Sequence, residues 1–177
     1  MKKPIFSLGL ALAASFAFGA SDVAAQSATG TVNASATVLA YLNVNKIDDV
    51  AFGQINPGSG AALTPGAAVG AGQSLGVLKV DHNSDVIVAA AVPTGLSMAG
   101  APDLPVSFSC GYSTAASSAL DGAAAGCNAL ANRTGNGDGS TKVSYIQIGG
   151  SILAADTASR MPGTYTGSIV FTITATY

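Results

Sequence analysis

The chain has 177 residues, of which only 9% are charged, and its formal net charge is −2. This length allows one domain with a real hydrophobic core. The low charge, the absence of Glu and the many small residues argue against a helical bundle, and no cluster of Lys or Arg could neutralise a nucleic-acid backbone.

The first residues have the pattern of a secretory signal. Lys2 and Lys3 precede an apolar run from Ile5 to Ala20, and small residues at Val23 to Ala25 predict cleavage after Ala25. The alternative is a membrane anchor, but the run of about 16 residues is shorter than the roughly 20 of a spanning helix. We therefore expect residues 1–25 to be a signal peptide and residues 26–177 to be one exported domain with no membrane-spanning segment. Its location would be the periplasm, the cell surface or a fimbrium.

The chain contains two cysteines, Cys110 and Cys127. In an oxidising compartment these are expected to form a disulfide. Together with one histidine they do not complete a zinc site, so no metal site is predicted.

Alternating residues predict strands along most of the chain. The first alternation, Thr29 to Ile47, is too long for an average strand, and we interpret it as an extended arm, Gln26 to Ala36, followed by a strand from Thr37. A bulge or bend is expected at Gly149-Gly150, a turn or a single helical turn at Ala155 to Arg160, and a long surface excursion from Ser113 to Gly139. Further strands are predicted at Val50 to Ile55, Leu75 to Asp81, Val86 to Val92, Leu104 to Tyr112 and Val143 to Leu153.

The last predicted strand, Gly163 to Tyr177, separates an apolar row from a row composed mainly of hydroxyl side chains. Because such a strand must be paired on at least one edge, the identity of its neighbours is the central question for function. The apolar row consists of Tyr165, Gly167, Ile169, Phe171, Ile173, Ala175 and Tyr177.

Short strands between turn signals, without a convincing amphipathic helix, predict an all-β fold. The specific prediction is an antiparallel, immunoglobulin-like β-sandwich of seven to eight strands. The alternative is a jelly roll or a small barrel.

Both ends of the mature chain resemble a known family. Ala34 to Val38, followed by Asp48 to Gly58 with its Phe-Gly-Gln-Ile-Asn-Pro-Gly segment, resembles the opening of the secreted bacterial family called domain of unknown function 4402. The Pro-Gly-Thr-Tyr-Thr-Gly turn at Pro162 to Gly167 is similar to the close of that family. The same features look like spore-coat-U-type domains and subunits of fimbriae built by chaperone–usher secretion.

This resemblance implies a sandwich that lacks one strand, with a groove beside the C-terminal strand that a neighbour's N-terminal arm fills. The partners would be other copies or other pilus-type subunits, assisted by a periplasmic chaperone and an outer-membrane usher. The alternative is that the arm pairs within its own chain or stays flexible. The donor candidates are Val32, Ala34 and Ala36, and the acceptor-edge candidates are Tyr165, Ile169, Phe171, Ile173 and Tyr177.

Few ionisable groups are available for catalysis, so no catalytic residue, no cofactor and no enzymatic activity is predicted. His82 lies in a polar sequence and is expected to be a solvated turn residue. Asn132 to Gly139 is expected to be a flexible turn because it lacks the closing Glu of a calcium loop. The second functional hypothesis is a monomeric secreted binding or adhesion domain, for example for carbohydrate. Five tyrosines could serve such a platform, although packing in the sheets is the expected role of Tyr41, Tyr112, Tyr145, Tyr165 and Tyr177.

Overall fold

A computed structural model describes residues 33–135 and 140–176, and the chain divides into two units, Met1–Thr37 and Val38–Tyr177. In the first unit, the described residues 33–37 form neither helix nor strand. The predicted signal peptide and most of the predicted arm lie outside the described residues. The second unit consists mainly of antiparallel strands, so the all-β prediction is confirmed.

Six strands form the larger sheet, in the order β1-β3-β9-β7-β8, with β2 also paired to β9. Its centre is β9, an eleven-residue strand that is buried along most of its length. The pairing throughout is antiparallel. The strands are β1 (Leu42–Asp48), β2 (Ala61–Leu63), β3 (Gly76–His82), β7 (Ser107–Ser113), β8 (Ala125–Gly126) and β9 (Lys142–Ile152).

The remaining strands form two small antiparallel pairs. β4 (Asp85–Ala91) pairs with β10 (Val170–Thr176), and β5 (Gly95–Leu96) pairs with β6 (Leu104–Pro105). A short 3-10 helix covers Cys127–Ala129, and α1 is a single turn at Ala154–Thr157. The predicted helical turn before the last strand is therefore confirmed.

The core lies between the larger sheet and the β4–β10 pair. The first cluster joins Val80, Ile146 and Ile148 of the larger sheet to Val88 of β4, with Ile173 of β10 partly buried against it. A second cluster is formed beside it by Phe52, Leu63, Leu104, Val106 and Ile152. Burial of these side chains removes apolar surface from water, which is the main favourable contribution to folding.

Several predicted strands differ in extent. The first strand begins at Leu42 rather than Thr37, and the predicted strand Leu104 to Tyr112 is divided into β6 and β7. Val50 to Ile55 reduces to one bridge between Ala51 and Ser74, because Gly53 turns the backbone into the left-handed region at φ 75°. The last strand begins at Val170 rather than Gly163. Thr166 instead exchanges two backbone hydrogen bonds with Ser97, at 2.7 and 2.9 Å, and so pairs next to the β5–β6 hairpin.

The predicted bulge at Gly149-Gly150 is wrong, since both residues stay in register with β7, opposite Ser109 and Phe108. The glycines are required by close approach instead. A Cβ at Gly150 would lie 2.6 Å from the carbonyl oxygen of Ser107, and one at Gly149 would collide with that of Leu63. At this point β9 changes its neighbour on one edge from β3 to β2.

Candidate functional site

The two edges of the β4–β10 pair are treated differently. The outer edge of β4 is covered by its own chain: Val86 exchanges backbone hydrogen bonds with Arg133 at 2.8 and 3.0 Å, and the side chain of Asn132 accepts one from the Val88 amide. On the other side of the pair, β4 is the only strand beside β10 among residues 33–135 and 140–176. The last strand is thus an edge strand in the described part of the chain.

A groove of about 1090 Å³ runs beside the beginning of β10. One wall is formed by residues 163–169 and Phe171, and the other by β1 and the segment that follows it. Its floor comes from the larger sheet and from both core clusters. The apolar side chains that line the groove are Val44, Val50, Phe52, Ile55, Leu78, Leu96, Leu104, Phe108, Ile148, Ile152, Ile169 and Phe171.

The core is incompletely covered where this groove opens. Val50 and Phe108 contact both clusters yet are only partly buried. Phe171 of β10 contacts the first cluster and is also only partly buried. Val44 of β1 lines the groove and remains 40% exposed. An apolar occupant of the groove would remove the remaining exposed surface of these side chains from water, which is energetically favourable.

Side chains of β10 alternate as the sequence predicts. Phe171 and Ile173 point towards the core and are half-buried, whereas Val170, Thr172 and Thr174 are exposed. Opposite Ile173 and Ala175, respectively, Val88 and Val86 of β4 are buried in the same layer. The strand therefore presents an apolar face to the core and a mostly hydroxylated face to the outside.

The structure brings some of the predicted acceptor residues together. Tyr165, Ile169 and Phe171 line the groove, but Tyr165 precedes β10, and its hydroxyl donates to the Met161 carbonyl at 3.1 Å. Ile173 packs against the core without lining the groove, and Tyr177 lies outside the described residues.

Of the donor candidates, Val32 lies outside the described residues, and Ala34 and Ala36 belong to the segment 33–37 without helix or strand. The sequence did not identify the groove floor, such as Leu78 and Phe108. Their own alternation was visible, but their common orientation depends on pairing between distant strands.

The predicted disulfide joins Cys110 of β7 to Cys127, the first residue of the 3-10 helix, with 4.8 Å between their Cα atoms. Both cysteines are buried within the first core cluster. The bridge ties the surface excursion after β7 to the larger sheet, which limits the freedom of the unfolded chain.

A polar cluster surrounds Tyr112 on the same side of the sheet. The guanidinium of Arg133 lies 4.4 Å from the ring centroid and pairs with Asp121 at 2.7 Å. The Tyr112 hydroxyl donates to the Ala131 carbonyl at 2.7 Å. Burial raises the pKa of Tyr112 to about 12, although the nearby Arg133 opposes the shift.

His82 is not the solvated turn residue that the sequence predicts. It ends β3 and is fully buried, with Nδ1 2.7 Å from the Ser84 carbonyl oxygen and Nε2 3.4 Å from the Ser144 hydroxyl. The reason is the register, which places His82 between Leu42 and Lys142 on neighbouring strands. Its ring therefore contributes to packing and to local hydrogen bonding.

The charged side chains that line the groove are Lys46, Asp48, Asp49 and Arg160. Lys46 and Asp49 form an exposed ion pair at 2.8 Å. Lys79 of β3 donates a hydrogen bond from its ammonium group to Asp81, and this bond raises the pKa of Lys79 above its ordinary value. No group of three or more His, Cys, Asp or Glu side chains suited to a metal occurs within the described ranges. The geometry suits the binding of an apolar, extended segment.

A scan against models of known families found no match for this chain, and searches of curated proteins and of solved structures also found none. Within the part of the chain that the structure describes, no helix is long and apolar enough to cross a membrane.

Proposed function

We propose that this chain is an exported structural subunit of a fimbria-like surface polymer that assembles by β-strand addition. The arm Gln26 to Ala36 of one copy adds to the edge of β10 in another, with Val32, Ala34 and Ala36 directed into the groove. The observation that carries the proposal is the combination of a one-sided β10 with an open apolar groove beside it.

The fold suits this role as an immunoglobulin-like sandwich in which one layer is a strand short. The β4 edge is covered by Asn132 and Arg133, whereas the β10 edge has no such cover from the described residues. An added strand would pair with the β10 backbone and cover Phe171 and Val44. The resemblance to fimbrial subunits points the same way and implies a periplasmic chaperone and an outer-membrane usher as assembly partners.

The alternative function, a monomeric binding domain for a ligand such as carbohydrate, is favoured by fewer observations. Only Tyr165 of the described tyrosines lines the groove, while Tyr112 is buried elsewhere. The tyrosines thus do not form the aromatic platform that a sugar would need.

The proposal is tested by deleting Gln26 to Ala36 from the exported chain and measuring assembly by size-exclusion chromatography with light scattering. The expected result is a folded monomer in place of multimers. A matched pair of variants distinguishes a requirement for apolar side chains from a requirement for a segment of this length. Replacement of Val32, Ala34 and Ala36 by Asp should abolish assembly. Asp at Thr31, Asn33 and Ser35, on the opposite face, should be tolerated. Multimers that persist after the deletion would contradict the donor role.

A further inference from the structure

One side chain holds the chain where it enters β1. The amide of Tyr41 donates to Oδ1 of Asn83 at 2.6 Å, and Nδ2 of Asn83 donates to the Leu39 carbonyl at 3.3 Å. The Asn83 amide also donates to the Tyr41 carbonyl, at 3.2 Å. These three bonds, which we call the Asn83 clamp, tie residues 39–41 to the residue that follows β3 and so fix the place where the chain enters β1.

The Asn83 clamp lies before the start of β1, and the groove begins only at its third residue, Val44. Leu42 pairs with His82, next to the clamp, whereas the groove is lined by Val44 and by later residues as far as Pro57. From Tyr41 to Asp48 an extended strand covers about 24 Å. The strand β10 has the same arrangement. Phe171, which lines the groove, is near the start of β10, whereas Thr176 at the other end pairs with Asp85, two residues after Asn83.

To fill the groove of its own domain, the N-terminal segment would have to reverse direction just before the clamp. The residues available are Thr37, Val38, Leu39 and Ala40, none of which is a Gly, Pro, Asn or Asp. Tight reversals between strands depend on such residues, while β-branched residues favour an extended backbone. Val38 and Leu39 are 80% and 73% exposed, so their side chains do not fix the direction of the chain.

We propose that Asn83 is a positioning residue for assembly: it directs the N-terminal segment away from its own groove, so that the partner receiving the segment is a second copy of this chain. This inference rests on the proposed function. It attributes the choice between the chain's own groove and the groove of a second copy to the Asn83 clamp and to residues 37–40, which include no turn-forming residue.

Two sets of variants of the full exported chain test this role. Asn83→Ala removes both side-chain bonds, and Asn83→Asp keeps the acceptor for Tyr41 while losing the donor to Leu39. Val38→Asn with Leu39→Gly supplies a two-residue reversal, and Val38→Thr with Leu39→Thr is its extended control. The measurements are the ratio of monomer to multimer by light scattering, and the Tm of each variant with and without residues 26–36.

Asn83→Ala should raise the monomer-to-multimer ratio about fivefold or more, with Asn83→Asp in between, given the usual worth of a hydrogen bond. The Asn-Gly variant should be a monomer whose Tm falls when residues 26–36 are removed, and the Thr-Thr control should remain multimeric. A residue with a merely structural role would lower the Tm without creating such arm-dependent monomers.

The inference is overturned if Asn83→Ala and the Asn-Gly variant keep the multimer fraction of the unmodified chain while deletion of residues 26–36 abolishes it; the proposed function would then stand. It is also overturned if the unmodified chain is a monomer whose Tm depends on residues 26–36, because the segment would then turn back despite the clamp. If the deletion changes neither assembly nor Tm, the proposed function fails and takes this inference with it.

Discussion

Buried polar side chains attach the irregular segments of this protein to its central strand. Gln147 of β9 accepts a hydrogen bond from the Gly66 amide at 2.6 Å and donates to the Ser118 carbonyl at 2.7 Å and to the Ser113 hydroxyl at 2.9 Å. Across the described residues, no buried side-chain nitrogen or oxygen is without a partner. Each of these groups is therefore costly to remove alone.

Replacing Gln147 with Leu should lower the free energy of unfolding by about 2–4 kcal/mol, since it leaves the Gly66 amide and the Ser118 carbonyl unpaired in a buried site. Urea denaturation of the two proteins measures the change. Asn45→Leu, at an exposed position of β1, is the control and should differ from the parent by less than about 0.5 kcal/mol. A loss at Gln147 no larger than that of the control would contradict this role.

The raised pKa of Tyr112 predicts that the stability of the fold depends on pH in the alkaline range. The pKa is raised to about 12 in the folded protein by burial, whereas the unfolded chain has the ordinary value of 10.0. Above pH 10 the unfolded state binds fewer protons, so this residue's contribution to stability is complete below pH 10 and is lost as the pH rises towards 12.

The test is to compare the parent with Tyr112→Phe by urea denaturation between pH 8 and pH 12. The variant should be less stable by about 1 kcal/mol at pH 8, because it lacks the hydrogen bond to Ala131, and should lose less stability above pH 10. Parallel curves for the two proteins across this range would show that Tyr112 is not the residue responsible.

The packing of β9 against its neighbouring strands requires glycine at two positions. Gly149 and Gly150 allow the backbones of β2 and β7 to approach it at the point where its edge partner changes. An added methyl group has no space there, because the nearest atoms belong to backbone carbonyls and cannot rotate away.

Gly150→Ala should therefore destabilise the protein by about 2 kcal/mol or more through steric overlap with the Ser107 carbonyl. Gly122→Ala is the matched control, since an added Cβ meets nothing within 4 Å there. Thermal unfolding of both variants gives the comparison. Equal Tm values would mean that β7 can move away from β9 without cost.

At the edge element, β10, the two faces of the chain allow a paired experiment. Ile169 lines the groove, whereas its neighbour Val170 is 58% exposed and does not. Ile169→Lys should prevent assembly because it places a charge where an added strand would lie, and Val170→Lys should assemble normally. Light scattering of the exported proteins decides between them, and assembly by both variants would exclude this wall of the groove as the contact.

Local patterns in the sequence predict individual strands better than their partners. The positions of β4, β9 and β10 are predicted to within a few residues. They follow from the continuous apolar run Val86 to Val92, the segment Val143 to Leu153 and the alternation in the second half of Gly163 to Tyr177. Pairing is a property of distant segments, so the burial of His82 and the start of β10 at Val170 could not be read locally. The groove floor was invisible for the same reason.

At the scale of the whole described domain, the second unit has a core that is covered on one side and open on the other. The larger sheet extends beneath β10 as far as β1, and these two edge strands contact each other at the limit of the core. An added strand would lie in the groove beside the start of β10, over the partly buried side chains Val50, Leu78 and Phe171. Both the apolar groove and the edge of β10, which has no second neighbouring strand among the described residues, agree with the proposed occupant, an extended and largely apolar segment.

The most direct test is residue-resolved amide hydrogen exchange along β10, Val170–Thr176. In an antiparallel pair, alternate amides point to one neighbour, so β4 alone protects only every second amide of β10. Strand addition at β10 predicts slow exchange at all of these amides in the assembled chain. Deletion of residues 26–36 should make the alternate set exchange fast, and an added peptide of residues 26–36 should make it slow again. Alternate amides that exchange equally fast in the assembled chain would contradict strand addition at β10.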